Sequence, residues 1–445
     1  MNSILIKNAE IVTMNAAEEI IFGDLYIVDD RVAEIGQNLT HQADKVIDAS
    51  GKTVIPGFIQ THIHLCQTLF RGQADDLELL DWLKQKIWPL EASHDEESIY
   101  YSAMLGIGEL LQSGTTTVVD METVNHTEYA FQAIAESGIR ALAGKVMMDK
   151  GDEVPVPLRE NTSASIQQSV DLLEKWHNRD NGRIQYAFCP RFVVSCTEEL
   201  LTNVRDLSAQ YDVKVHTHAS ENFNEILLVE KELGMRNVVY LDSIGLANER
   251  LILAHCVWLN EEEKRIIKER GVKVSHCPGS NLKLASGVAE IPSLIDQEAF
   301  VSLGADGAPC NNNLDMFNEM RLAAIIQKPV HGPTAMNART VFRMATIGGA
   351  KAVGMEQEIG SLEPGKKADL AILNLNDFHV YPSFDIDTIS RIVYSATRAD
   401  VESTIVNGKI VMENRKLNTV DKKIVLREAN TSIKRLLKRL ETAIY

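Results

Sequence analysis

Between residues 57 and 358 the chain repeats one pattern, a short and nearly unbroken apolar run followed by a polar, helix-forming stretch. The runs read GFIQTHIH, TTTVVDM, IRALAGKVMMD, IQYAFCP, VKVHTHAS, RLILAHCVWL, VKVSHCP and FVSLGAD. Runs that lack polar alternation suit strands covered on both faces. Eight of them in βα alternation over about 300 residues predict an α/β fold, a (β/α)8 TIM barrel, whose chemistry collects at the strand C-terminal ends.

The two ends of the chain have a different texture. Residues 1–56 and 359–420 carry short alternating runs divided by Asn, Asp and Gly, and Asn407-Gly408 between apolar runs signals a two-residue hairpin. Both ends are therefore expected to build one small β-sandwich-like domain around the barrel of residues 57–358, with residues 421–445 as a terminal amphipathic helix of structural or homo-oligomeric role. Residues 147–163 read as a loop beside the pocket, with Arg159 a surface group rather than a substrate contact.

With 62 acidic against 45 basic residues, a net charge of −17 repels phosphate backbones and anionic lipid, which argues against nucleic acid and membranes as partners and leaves a small-molecule substrate. The six cysteines never form C-x-x-C, and no disulfide framework is suggested. The opening MNSILIKNAE has neither a basic n-region nor a cleavage site, and no apolar run approaches about 18 residues. A reducing, cytoplasmic compartment is the expectation.

Five histidines fall at or near the ends of the barrel runs: His62 and His64 on the first, His218 on the fifth, His255 on the sixth and His276 on the seventh. Asp306 ends the eighth. Side chains two apart share a strand face, so His62 and His64 can bind one metal; the same argument leaves His216 and His218 equivalent. Imidazole nitrogen and carboxylate oxygen suit Zn²⁺, with Fe, Ni or Mn as other divalent fits. Packing alone does not demand a polar group at one strand rim after another. Glu221, three residues past His218, is a candidate general acid/base. His276 is a structural or substrate-facing candidate.

The segments PGFIQTHIHLCQTLFRG, HTHASEN, LAHCVWL, VSHCPGSNLKLASG, LGADGAPCNNNLDMFNEMR and IGSLEPGKKADLAIL resemble the amidohydrolase superfamily over essentially the whole chain. The resemblance lies in the branch of S-adenosylhomocysteine, methylthioadenosine and 5′-deoxyadenosine deaminases, guanine deaminase and s-triazine hydrolases. It implies a metal-dependent hydrolytic deaminase with one divalent ion held by His62, His64, His218 and Asp306, Glu221 as proton shuttle, His255 orienting water, and Asp306 moving a proton to departing ammonia. Two-metal relatives carry a bridging lysine on the fourth strand. YAFCPRF has none, and Lys145 is expected near the beginning of the third strand, away from the mouth, so the site reads as mononuclear.

For substrate, the resemblance assigns Trp82 and Glu91 to the base and the ribose hydroxyls of an adenine nucleoside. Gln67 and Arg191 instead resemble the groups that grip guanine. DGAPCNNNLDMFNEMR, HLCQTLFRG and GKVMMDKGDEVP favour the 5′-deoxyadenosine type, with guanine-type and s-triazine hydrolysis as the alternatives and a non-enzymatic scaffold as the least favoured.

Overall fold

The structure is a computed structural model that describes residues 3–443. Ser3–Val12, Ile20–Val28 and Arg31–Gly36 form an antiparallel meander, and Lys45–Asp48 and Thr53–Pro56 join it parallel to Ser3–Val12. Thr53–Pro56 then pairs antiparallel with Leu370–Leu373, which leads to Val401–Val406, Lys409–Glu413 and Lys416–Leu417. Both chain ends thus share one nine-stranded sheet. Ile6, Ile11, Leu25, Ile27, Val54, Leu370 and Ile405 are buried in its core. The Asn407-Gly408 hairpin is present, with both residues at positive φ as a type I′ turn requires. A side chain at Gly408 would strike the Asp29 carbonyl.

The central segment forms eight parallel barrel strands: Phe58–Ile63, Thr115–Met121, Arg140–Gly144, Ile184–Pro190, Lys214–Ala219, Leu251–His255, Lys273–His276 and Phe300–Leu303. All eight are nearly or wholly buried, which is why their sequences run apolar without alternation. The ring closes between the eighth and first strands, where Asp306 N–H donates to the His62 carbonyl at 3.0 Å and Thr61 Oγ1 to the Leu303 carbonyl at 3.0 Å. A Cβ at Gly304 would lie within 2.9 Å of His62 backbone atoms, so only glycine admits this approach.

The small sheet meets the barrel at the strand beginnings. Gly57 N–H donates to the Asp369 carbonyl, and the buried Arg140 side chain, at the start of the third strand, pairs with the Asp369 carboxylate at 2.6 Å and with Asn407 Oδ1 at 3.0 Å. Lys422–Ala443 is a helix that packs on the Glu96–Gln112 helix, with Ala429 and Leu436 buried. Among the described residues no helix is long and apolar enough to cross a membrane.

Lys145 corrects one expectation. It follows directly on Gly144, at the end of the third strand and not near its beginning. Its ammonium is buried, however, and is held by Glu160 at 2.5 Å and the Val146 carbonyl at 3.1 Å, so its role is to tie down the following loop. That loop is anchored by buried Val154 and Leu158, while Arg159 is half-exposed and reaches only Gly151 and Asp152.

Candidate metal centre and pocket

Each ligand-type side chain stands at a strand end for a local reason. After His64 the chain turns sharply, pinned by the Leu65 N–H donating to the buried carboxylate of Asp120 at 2.9 Å. Glu221 directly precedes the Phe223–Leu233 helix, where Asn222 is the N-cap and Glu225 reaches back in a capping box. Glu225 also accepts from Glu221 N–H at 2.8 Å, which holds the residue at the rim. His255 and Asp306 both have left-handed backbones, φ 73° and 64°, an uncommon conformation for such residues that collects at functional sites.

The polar tips converge. His62 Nε2 and His64 Nε2 lie 3.2 and 3.3 Å from Asp306 Oδ1, and His218 Nε2 lies 3.3 Å from His64 Nε2. His255 Nε2 is 3.4 Å from Glu221 and 3.8 Å from the second Asp306 oxygen. Asp306 is steadied by the Ser280 hydroxyl at 2.6 Å and the Gly307 N–H at 2.7 Å, and His255 Nδ1 by Asn281 at 2.9 Å.

The proton positions follow from the partners. His64 Nδ1 faces the Met121 carbonyl and His218 Nδ1 faces the Arg191 carbonyl, each at 2.7 Å. Carbonyls only accept, so both Nδ1 atoms carry the hydrogen and both Nε2 atoms of the neutral rings are bare. Two lone pairs facing at 3.3 Å repel unless a cation lies between them. The Nε2 atoms of His62 and His255 are likewise buried without a hydrogen-bond partner. A donor set of imidazole nitrogens and one carboxylate with this unmet demand fits a divalent ion.

Burial favours the neutral form of the His62, His218 and His255 rings. It lowers His62 to about 3, with the Asp306 charge only partly offsetting it, and pushes His218 well below its ordinary value, with His62 and His64 adding to the effect. His255 is lowered for the same first reason. Burial opposes ionisation of Asp306, and only positive charge facing it, on His62 first and then His64 and His255, lowers its carboxyl well below the usual carboxylate range; with these rings neutral, the carboxylate calls for a cation in the same place. Glu221 moves the other way: burial, then the Asp306 charge, raise it well above an ordinary glutamate. Two neighbouring carboxyls with opposed shifts are the usual mark of an acid and a base side by side.

These groups open into one pocket whose wall also includes Gln67, Leu79, Trp82, Leu83, Arg191 and Phe192. Leu79, Trp82 and Leu83 form one face of a helix that widens into a π-helical turn at Leu83–Ile87, where Trp88 N–H reaches back to the Leu83 carbonyl. Glu91 stands behind the wall, fully buried, and both its oxygens are engaged: Arg191 donates to them at 2.6 and 3.2 Å and Gln67 Nε2 to one at 2.9 Å. Gln67, Trp82 and Arg191 line the pocket, whereas Glu91 meets it only through Arg191 and Gln67. His276 is buried at the end of the seventh strand, off the pocket wall, with neither ring nitrogen bonded.

Sequence reasoning overlooks Asp120, Ser280, Asn281 and the apolar wall of Leu79, Leu83 and Phe192. Two signals were available. Asp120 closes the run TTTVVDM at a strand rim, as the histidines do, and Leu79, Trp82 and Leu83 have the spacing of a single helix face.

The model of the amidohydrolase family matches residues 53–411. A 5′-deoxyadenosine deaminase from Methanobrevibacter smithii is 44% identical over 437 residues, 98% of each chain. A 5-methylthioadenosine/S-adenosylhomocysteine deaminase from Syntrophomonas wolfei is 39% identical over 98% of this chain and 99% of its own. The crystal structure of an adenosine deaminase from Xanthomonas campestris with bound zinc superposes with a TM-score of 0.92 at 32% identity, covering 98% of this chain and 99% of that one.

Proposed function

Because this chain belongs to the amidohydrolase family, we propose that it is a metal-dependent hydrolytic deaminase of adenine nucleosides of the 5′-deoxyadenosine, methylthioadenosine or S-adenosylhomocysteine type. The observation that carries the reading is the set of bare Nε2 atoms converging on Asp306 beside a carboxyl, Glu221, whose raised pKa suits it to hold a proton near neutrality.

His62, His64, His218 and Asp306 would hold the ion, zinc being the best match to nitrogen donors with one carboxylate and the metal of the Xanthomonas structure. A divalent ion bound there supplies Lewis acidity and brings the pKa of bound water toward about 7. Glu221 delivers its proton to the purine nitrogen beside the amino-bearing carbon, so that the ring accepts the attacking oxygen. Asp306, as the carboxylate, would take one proton of the reacting water and pass it to the departing amino group, and the second proton, left on the new oxygen, would return to Glu221 as the ring oxo group forms. The products are ammonia and the corresponding hypoxanthine nucleoside. His255, fixed by Asn281, directs its bare Nε2 toward both carboxyls and orients the reacting water.

Leu79, Trp82, Leu83 and Phe192 supply an apolar wall against which a purine packs. Arg191 and Gln67, both aimed by Glu91, are the polar contacts for the base or sugar. This same pair supports a second reading, a guanine-type nucleobase deaminase, since a guanidinium and an amide on one wall can grip a purine carrying an oxo group. The six buried cysteines, all free, agree with a reducing, cytosolic compartment.

Stripping the protein with a chelator and assaying 5′-deoxyadenosine before and after adding Zn²⁺ tests the proposal. Turnover should vanish and return with the ion; turnover by the stripped chain would contradict it.

A further inference from the structure

Three histidines of the cluster keep Nε2 bare by donating from Nδ1, but not to the same kind of partner. His64 and His218 donate to main-chain carbonyls, those of Met121 and Arg191. His62 reaches another side chain: its Nδ1 lies 2.7 Å from Nε2 of His216, and both rings are fully buried.

That contact has a fixed direction. His216 Nδ1 faces the carbonyl of Ile252, its neighbour on the sixth strand, at 3.2 Å. A carbonyl cannot donate, so the hydrogen of a neutral His216 is on Nδ1 and its Nε2 is an acceptor. The donor in the short contact is then His62 Nδ1–H, which leaves His62 Nε2 as a lone pair aimed toward Asp306. With the opposite tautomer of His216, the hydrogen of His62 would sit on Nε2 and block the nitrogen that the cluster needs.

We propose that His216 is a positioning residue, the middle of a one-way relay from the Ile252 carbonyl through His216 to His62 that fixes the metal-binding tautomer of His62. The relay joins the sixth, fifth and first strands, and it separates the two histidines of HTH, which alternation left equivalent: His218 faces the cluster, and His216 supports the ligand across the barrel. It rests on the reading that the cluster holds a metal. Because the other two rings lean on backbone, His216 is the side chain through which substitution can alter a ligand's proton position.

The test measures Zn²⁺ affinity of the full-length chain by competition with a chelator, alongside thermal melting of the metal-free forms. His216→Leu removes the acceptor and should weaken Zn²⁺ binding by about 10–100-fold. In His216→Gln the amide oxygen can accept from His62 while its NH₂ donates to Ile252, so most of the lost affinity should return. Leu and Gln fill similar space, and a residue that only packs would respond alike to both. Equal affinity of His216→Leu and the wild type overturns the relay alone, and so does equal weakening in both variants. A wild-type chain that takes up no Zn²⁺ overturns the relay together with the metal reading. Should His216→Leu fail to fold, ¹⁵N-histidine NMR of the wild-type zinc form decides: hydrogens on Nδ1 of both His62 and His216 support the relay, and a hydrogen on His216 Nε2 overturns it.

Discussion

Glu221 combines a raised pKa, a backbone pinned by Glu225 and an oxygen 3.4 Å from His255 Nε2. Glu221→Gln preserves shape while removing the proton, so it should keep the metal content of the wild type and lose about 10²–10⁴-fold in kcat, the usual range for a general acid/base; retained turnover would remove Glu221 from the role. Glu91 behaves differently because its partner is a buried guanidinium. Glu91→Ala leaves Arg191 charged and unpaired, which should cost about 3–5 kcal/mol in a denaturant titration. The rim residues His62, His64, His218, His255 and Asp306 were legible because each closes an apolar run, so a strand count places them in one ring. The Glu91–Arg191 pair was not. Its members stand 100 positions apart, and their meeting depends on how the long excursion after the first strand folds back over the fourth.

Among the secondary-structure elements, the joint between barrel and small sheet contains a buried ion pair. Arg140 opens the third strand and Asp369 precedes Leu370–Leu373, and the Asp369 carboxylate also accepts from the Asn407 N–H at 2.6 Å beside the hairpin. Arg140→Ala strands that carboxylate and should lower stability by about 3–5 kcal/mol, with the zinc content and pocket chemistry of the folded fraction unchanged, because the joint lies at the strand beginnings far from the mouth. The eight strands were legible because parallel strands covered on both faces read as unbroken apolar runs. The pocket-lining helix at Leu79–Trp82 and its π-helical turn were not, since the widening reflects tertiary packing that periodicity does not encode. The position of Lys145 was misjudged for a related reason: within the apolar run IRALAGKVMMD the pairing with the second strand ends at Gly144, and the run resumes past Lys145 as Val146–Met147 beside the fourth strand.

For the molecule as a whole, the proposed ion would couple four residues scattered from His62 to Asp306, so binding should stabilise the entire barrel. At free zinc 100-fold above the dissociation constant the gain is about 2.7 kcal/mol, and chelation should lower the melting temperature reversibly. An unchanged melting temperature, with metal loss verified, would separate the ion from the fold. The strongly acidic surface, net charge −17, leaves the engaged Arg191 as the cation on the pocket wall, which suits an uncharged nucleoside better than a phosphorylated one. The central claim, an adenine-nucleoside deaminase, is tested most directly by one competition assay. The zinc-loaded protein is given 5′-deoxyadenosine, methylthioadenosine, S-adenosylhomocysteine, adenosine, guanine and an aminotriazine under identical conditions, and kcat/KM is read from the ultraviolet difference and ammonia release. The account predicts the highest kcat/KM for one of the 5′-substituted or 5′-deoxy adenine nucleosides; guanine or the triazine outpacing every adenosine derivative would contradict it.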